Sequence, residues 1–367
     1  MSLGVSIVIC CHNSAKELPQ TLSYLVAQQV RADIAWEVII VDNSSTDNTA
    51  EVALNSWPPD APAPLKVVSE SQLGLIFARY RGLASANYEI VSFIDDDNWI
   101  CREWVQTVSE VMSQHPELGA CGGLNEPAFE VETPWWWSKV NTGCYALGSQ
   151  GPQEGGDITC SKARLYGAGL TIRKVALQNL LDKGFRSLLV GSQGKALLRG
   201  EETELCFALL LAGWRFWYEP RLQLRHHLTG DRLQWRYLRR LCRGGGASTV
   251  GLDPYRFAIA RHEDYKTISF WWNVGSKEDS DERKQTWQWQ TFVVLQDLLS
   301  QPIKLLLSFI FSMEGDSEVL NIERKIGRLL TLMQKRKAYD LSIKTLQEIA
   351  WKRKNLPLEI ISTQLSI

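Results

Sequence analysis

Three consecutive carboxylates, Asp95, Asp96 and Asp97, followed by Asn98, close a short apolar run that begins at Ile90. Carboxylates this close repel one another and are costly to desolvate, so the cluster calls for a counter-charge. At the end of a strand such a group suits a divalent cation held on oxygen ligands. The competing reading is a solvated acidic turn. His12 and Asn13 end a second apolar run, and Asp42 ends a third. Glu201 and Glu202 open an apolar segment, where carboxylates commonly serve as partners of a helix dipole. Arg225-His226-His227 follows another apolar run, and a histidine in that setting is more often structural than a metal ligand.

The elements that must position these groups alternate in type. Val5 to Cys11 has strand length and is nearly all apolar. Ser14-Ala15-Lys16-Glu17 then has the form of a capping box, and Leu18, Leu22, Leu25 and Val26 give the following helix one apolar face. Trp36 to Val41 predicts a second strand, with Asn43 to Asp47 as turn and N-cap. Lys66 to Ser69 predicts a third strand, and Gly74 to Ala86 a helix carrying Arg79 and Arg81. The acidic strand comes next. This βαβαβαβ order, with strands apolar on both faces, predicts a parallel sheet covered by helices. Such sheets bind ligands at the carboxyl ends of their strands, where all three polar clusters fall. That convergence favours a ligand site over an acidic turn. No G-x-G-x-x-G and no Walker lysine loop follows the first strand, which disfavours a dinucleotide or P-loop protein.

The 367 residues can bury a substantial core, and a net charge of −1 provides no field for nucleic acid. None of the eight cysteines forms a C-x-x-C pair, which fits buried thiols in a reducing cytoplasm. The N-terminus has no signal-peptide pattern, so the expectation is a cytoplasmic protein, either free or peripheral at the inner face of the plasma membrane. Fifteen tryptophans, clustered after position 100, suit either a ring-shaped ligand or packing. Trp135 to Tyr145 reads as an acceptor wall or, equally, a packed hydrophobic knot. Trp104 to His115 predicts a helix, Gly119 to Gly123 a strand and Phe216 to Leu224 another.

Arg221, Arg225, Arg232, Arg236, Arg239, Arg240 and Arg243 face only Asp231 in their span and read as a solvated helix face or as contacts to a diphosphate or anionic lipid. Gly244-Gly245-Gly246 predicts a hinge or loop. The apolar stretch 291–313 is interrupted by Asp297, Pro302 and Lys304, which argues against a bilayer span. A packed helical pair and an in-plane membrane helix, anchored by Trp287 and Trp289, both remain open. Lys335-Arg336-Lys337 and Lys352-Arg353-Lys354 add positive charge, so the tail reads as membrane contact or a homodimerisation arm.

Ser6 to Asn13, Val41-Asp42-Asn43-Ser44-Ser45-Thr46-Asp47, Gly74 to Gly82 and Phe93 to Asn98 together resemble the nucleotide-sugar half of family 2 glycosyltransferases. The order and spacing match over roughly the first hundred residues. The resemblance implies a GT-A fold: a Rossmann-like α/β architecture with a mostly parallel central sheet flanked by helices. It implies a catalytic domain over 1–230, with a nucleotide-sugar half (1–100) and an acceptor half (101–230), and a helical C-terminal extension over 231–367. It further implies an inverting transferase that uses Mn²⁺ or Mg²⁺ and a nucleotide diphosphate sugar, UDP-linked as first choice, to glycosylate a saccharide or lipid-linked acceptor in surface polysaccharide synthesis.

Carried onto this chain, Asp97 and Asp95 would hold the metal. Asp96 would reach the ribose, Asp42 the base, and Arg79 would fix the nucleotide, with Cys11, His12 and Asn13 beside it. Gly200-Glu201-Glu202-Thr203-Glu204-Leu205 is similar to the family motif that carries the catalytic base. Glu202 stands where the family usually has Asp, one methylene shorter, with Glu201 as the alternative. His226, six residues after Pro220, matches the family's diphosphate or metal histidine better than His227. Two other classes compete: a nucleotidyltransferase, which would need a better phosphate loop than His12 to Lys16, and a non-catalytic carbohydrate-binding protein, which has little use for Asp95, Asp97 and Glu202 together.

Overall fold

The computed structural model describes residues 3–189, 197–262, 265, 268, 281–311 and 313–352. Four parallel strands form its first half: β1 (Val5–Cys11), β2 (Trp36–Asp42), β3 (Leu65–Ser69) and β4 (Ile90–Asp95). They are linked by α1 (Leu18–Val26), α2 (Thr49–Asn55) and α3 (Leu75–Ser85). Their order is β3-β2-β1-β4, so the chain reverses its direction of travel across the sheet between β1 and β4. That switch point leaves a crevice at the strand ends. β1, β2 and β4 are buried on both faces, which is why they read as continuous apolar runs.

The second half departs from the parallel pattern. β5 (Asn98–Ile100), α4 (Trp104–Gln114), β6 (Leu118–Phe129), β7 (Gly156–Asp157), β8 (Thr171–Arg173), α5 (Lys174–Asp182), α6 (Glu201–Leu211) and β9 (Arg215–Leu228) follow in order. The sheet continues from β4 through β8, β6 and β9 to β5, with β7 also on β9. β8 runs antiparallel to both β4 and β6, β5 and β7 run antiparallel to β9, and only β6–β9 is parallel. The whole sheet is therefore mixed.

The predicted capping box does not form. α1 begins at Leu18, four residues after Ser14, and the Ser14 hydroxyl is instead hydrogen-bonded to Asp96. Asp47 does work as a local cap, since its Oδ1 accepts from the Thr49 amide at 3.1 Å.

The C-terminal part is helical: α7 (Trp235–Ala260), α8 (Trp287–Leu299), α9 (Pro302–Ile310), α10 (Ser317–Gln334) and α11 (Arg336–Lys352). Arg353 and Lys354 of the second basic cluster lie outside the described residues. Gly244 to Gly246 are not a hinge but the middle of α7. At Gly244 and Gly246 the role is close approach, to the Leu197 and Arg324 backbones. A Cβ on Gly246 would fall 1.9 Å from the Arg324 carbonyl oxygen of α10, and one on Gly327 1.9 Å from that of Arg243. The helix propensity lost at each glycine, about 1 kcal/mol, is offset by that tight α7–α10 crossing.

Nor is the arginine run simply a solvated face. Arg239 and Arg243 both donate to Glu323, a side chain only 3% exposed, at 2.8 and 2.6 Å. α7 is also tied to α6, because the Tyr255 hydroxyl donates to Glu204 Oε1 at 2.9 Å. Among the described residues, no helix is long and apolar enough to cross a membrane.

Candidate active site

β4 ends at Asp95 and β5 begins at Asn98, so Asp96 and Asp97 form the turn between them. Asn98 Nδ2 donates to Asp97 Oδ1 at 2.9 Å, and the Thr21 hydroxyl holds the Asp96 carbonyl at 2.6 Å. β5 pairs with β9 so that Asn98 lies opposite His226. This register, and not sequence proximity, brings the histidine to the carboxylates. His226 Nδ1 is 3.0 Å from the Tyr145 carbonyl oxygen, which fixes the proton there and leaves Nε2 as an acceptor.

Nε2 lies 3.5 Å from Asp97 Oδ2, and Arg232 reaches both. Its Nη1 is 2.7 Å from Asp97 Oδ2 and 3.0 Å from His226 Nε2. Arg232 belongs to the arginine run that reads as a solvated face or as diphosphate or lipid contacts, and the structure places it in the cavity lining. The counter-charge that the three carboxylates require is a guanidinium in this structure.

The field on each carboxylate differs accordingly. Burial alone would raise Asp97, but the Arg232 guanidinium, donating to its Oδ2, helps hold its pKa below the usual carboxylate range. Asp96 is pushed up to about 7 by burial and by repulsion from Asp97. Asp95 is also raised, by burial first and Asp97 second. The turn thus carries one firmly ionised carboxylate beside two that resist ionisation.

Asp95, Asp96, Asp97, Arg79, His226, Arg232, Glu201 and Glu202 line one cavity of about 370 Å³. Arg79 enters from α3 and is 4% exposed. Gly167 gives it room, since a Cβ there would lie 2.8 Å from Arg79 Nη2. Burial works against its charge, but Glu201, Asp95 and Glu202 outweigh that and raise its pKa. Among the described residues, Arg79 Nη1 and Glu201 Oε2 are both buried without a hydrogen-bond partner. Burial, with the Glu202 charge beside it, raises Glu201 to about 7. Glu201 and Glu202 are the first residues of α6, after Gly200 at φ 103°.

A second cavity of about 380 Å³ adjoins the first. Glu202 lines both, and Glu201 only the first.

Four other expected residues lie elsewhere. Cys11 is turned into the core at 1% exposure, and its neighbour Cys10 lines the cavity instead. Successive strand residues face opposite ways, and a strand apolar on both faces gives no sign of which side is the site. His12 Nδ1 is 2.9 Å from the Asn43 carbonyl oxygen, and Asn13 Oδ1 accepts from the Thr46 amide at 2.7 Å, so both fasten β1 to the turn after β2. Asp42 Oδ1 accepts from the Ser45 amide at 3.1 Å and is outside the cavity lining.

His227 stacks on Trp99, away from His226. Among the described residues, no tryptophan lines either cavity. Trp136 is buried against Trp235 with centroids 5.2 Å apart, so the tryptophan end of the 135–145 segment is a packed knot, while Cys144 and Tyr145 line the first cavity and Asn141, Gly143 and Cys144 the second.

The donor set fits a divalent cation in its chemistry. Asp97 Oδ2 and His226 Nε2 are close enough for one ion to bridge at metal–ligand distances of roughly 2.1 Å. Among the described residues, however, no three His, Cys, Asp or Glu side chains converge in a metal-holding arrangement. Arg232 occupies the space beside the pair.

Residues 6–171 match the family described as Glycosyl transferase family 2. An uncharacterised glycosyltransferase from Nostoc sp. is 34% identical over 124 residues, covering 34% of this chain and 37% of the relative. Polypeptide N-acetylgalactosaminyltransferase 13 of Homo sapiens is 31% identical over 119 residues, 32% of this chain and 21% of that protein. Poly-beta-1,6-N-acetyl-D-glucosamine synthase of Staphylococcus epidermidis is 29% identical over 121 residues, 33% of this chain and 28% of that protein. The chain thus spans well under half the length of these relatives. Among solved structures, a mannosyltransferase from Pyrobaculum calidifontis, in complex with GDP-mannose and Mn²⁺, superposes with a TM-score of 0.54 at 15% identity, covering 92% of this chain and 88% of that one. By its matched residues the N-terminal part of the chain is similar to glycosyltransferase family 2, and the chain carries the GT-A fold.

Proposed function

We propose that this protein transfers a sugar from a nucleotide diphosphate sugar to an acceptor hydroxyl, with inversion at the anomeric carbon. The observation that carries the reading is the place of Glu202, the one acidic side chain among the described residues that lines both cavities. The first cavity supplies cationic and carboxylate groups for a nucleotide diphosphate, and the second leaves room for an acceptor. Glu202 stands between them as the base.

Its carboxylate takes the proton of the acceptor hydroxyl as that oxygen bonds to the anomeric carbon. The bond from that carbon to the diphosphate oxygen breaks in the same displacement, and the nucleoside diphosphate leaves with the electron pair. Asp97 and His226 would hold Mn²⁺ or Mg²⁺, which supplies Lewis-acid neutralisation of charge on the leaving group. Arg79, with its unpartnered Nη1 inside the cavity, binds and orients the nucleotide side. Asp95 and Asp96 border the same cavity and serve the donor.

Glu202→Gln tests the assignment, because it removes the base and keeps the shape. Transfer, followed by mass spectrometry over a donor panel headed by UDP-sugars, should fall roughly 10²- to 10⁴-fold. UDP with Mn²⁺ should still raise the melting temperature as in the wild type. Transfer at near wild-type rate would remove Glu202 from the role.

The acceptor reading extends to a lipid-linked saccharide of surface polysaccharide synthesis, met at a membrane surface. α8 and α9 support this by exposing Phe292, Leu299, Ile303, Leu306 and Ile310. Trp289 and Trp287 lie beneath Lys284 and Arg336, an apolar face rimmed by cations that suits an anionic bilayer. Co-sedimentation with phosphatidylglycerol vesicles should be lost in Ile303→Glu/Leu306→Glu; retention by that variant would refute the contact.

A further inference from the structure

The second cavity has a charge imbalance that the transfer chemistry does not use. Lys162 and Arg164 enter from the loop before β8, Arg199 from the segment before α6, and Arg324 from α10. Against these four cations the lining holds one carboxylate, Glu202. Among the described residues, Lys162, Arg199 and Arg324 form no ion pair with a carboxylate. Lys162 reaches the Ser149 carbonyl at 3.5 Å, and Arg199 donates to the Cys144 carbonyl. Burial depresses the pKa of Arg164, and burial with Arg164 as neighbour depresses that of Lys162. Like charges converging from three separate segments into a concave site are costly unless an anion joins them. Arg324 owes its place to the glycine crossing, which sets its carbonyl against Gly246. The C-terminal helices therefore build one wall of this cavity.

We propose that the second cavity is the acceptor subsite for a glycan bearing an anionic group, a phosphate or a carboxylate, clamped by Arg324, Arg164, Arg199 and Lys162. This rests on the transferase reading and goes further by giving the acceptor its charge class. Arginine forks match the geometry of both oxyanions. The anion then sits beside Glu202 without replacing it, because the cations outnumber that carboxylate.

Binding of three matched probes, glucose, glucose 6-phosphate and glucuronic acid, tests this by NMR titration of the full chain. At least one charged probe should bind ten-fold or more tightly than glucose, with an affinity that falls as salt rises. Arg324→Gln should remove that preference. Gly245→Met provides a second variant: no atom lies within 4 Å of the position a Cβ would take, so a side chain is accommodated and projects into the cavity. It should also weaken the charged probe ten-fold while UDP–Mn²⁺ binding is unchanged. Whichever probe binds more tightly identifies the oxyanion. Equal binding of all three, or an unaltered preference in both variants, overturns the proposal while UDP–Mn²⁺ binding leaves the transferase reading standing. Loss of UDP–Mn²⁺ binding in the wild type would overturn both.

Discussion

Under the proposed metal site, Arg232 would compete with a divalent cation for Asp97 and His226, and that competition can be measured without any sugar donor. The guanidinium makes charge-assisted hydrogen bonds to Asp97 Oδ2 at 2.7 Å and His226 Nε2 at 3.0 Å. Bonds of this kind contribute about 1.5–3 kcal/mol each to stability when sheltered. The Arg232 side chain is 33% exposed, so solvent screens part of that. About 1–2 kcal/mol remains to be overcome when the cation enters, or roughly 5- to 30-fold in affinity. Arg232→Met removes the competitor and leaves both ligands in place. Mn²⁺ titration of the nucleotide-free protein, followed by electron paramagnetic resonance, should therefore show tighter binding in the variant by that factor. Arg232→Lys keeps the charge and should stay within a few-fold of wild type. If Arg232→Met binds Mn²⁺ no better than wild type, Asp97 and His226 are not the ligands, or the arginine does not guard them.

Asp97→Asn should weaken Mn²⁺-dependent UDP binding by at least ten-fold, read by calorimetry with and without chelator. Glu201 has a folded pKa near 7, above its usual 4.5, so the native state keeps a proton that the unfolded chain has lost between those values. Stability must then fall as pH rises through that window, by at most about 3 kcal/mol. Glu201→Gln should accordingly raise the melting temperature at pH 8 and leave it nearly unchanged at pH 4.5; equal shifts at both would sink the assignment. Gly246→Ala places a methyl group 1.9 Å from the Arg324 carbonyl oxygen. Overpacking of this kind costs about 1–3 kcal/mol, visible as a lower urea midpoint, and a neutral result would mean the crossing can open.

The sequence determined the nucleotide-side framework and most of the rim on its own. Continuous apolar runs marked β1, β2 and β4 because strands buried on both faces have no polar positions to confuse the pattern. The residues ending them, with the resemblance carried by Asp42 to Asp47 and Asp95 to Asp97, located one edge of a ligand site. Glu202 was legible as the opening of α6. His226 was legible only from its distance to Pro220.

What tertiary structure decided are the contacts between segments far apart in the chain. Arg232 reaches Asp97 across 135 positions, brought there by the antiparallel β5–β9 register, and a local pattern cannot encode such a pairing. The facing of Cys10 and not Cys11 is equally hidden, since both sit in a run with no polar alternation. Gly244 to Gly246 read as a break because intrinsic propensity is weak beside packing: the Leu197 backbone lies close enough to position 244, and α10 to position 246, that only glycine fits there, and the helix runs through. The same crossing carries Arg324 to the second cavity, where it meets Lys162, Arg164 and Arg199 from distant segments, so that site exists only on folding. The opening cluster of carboxylates foretold a counter-charge, and the fold chose which one stands there.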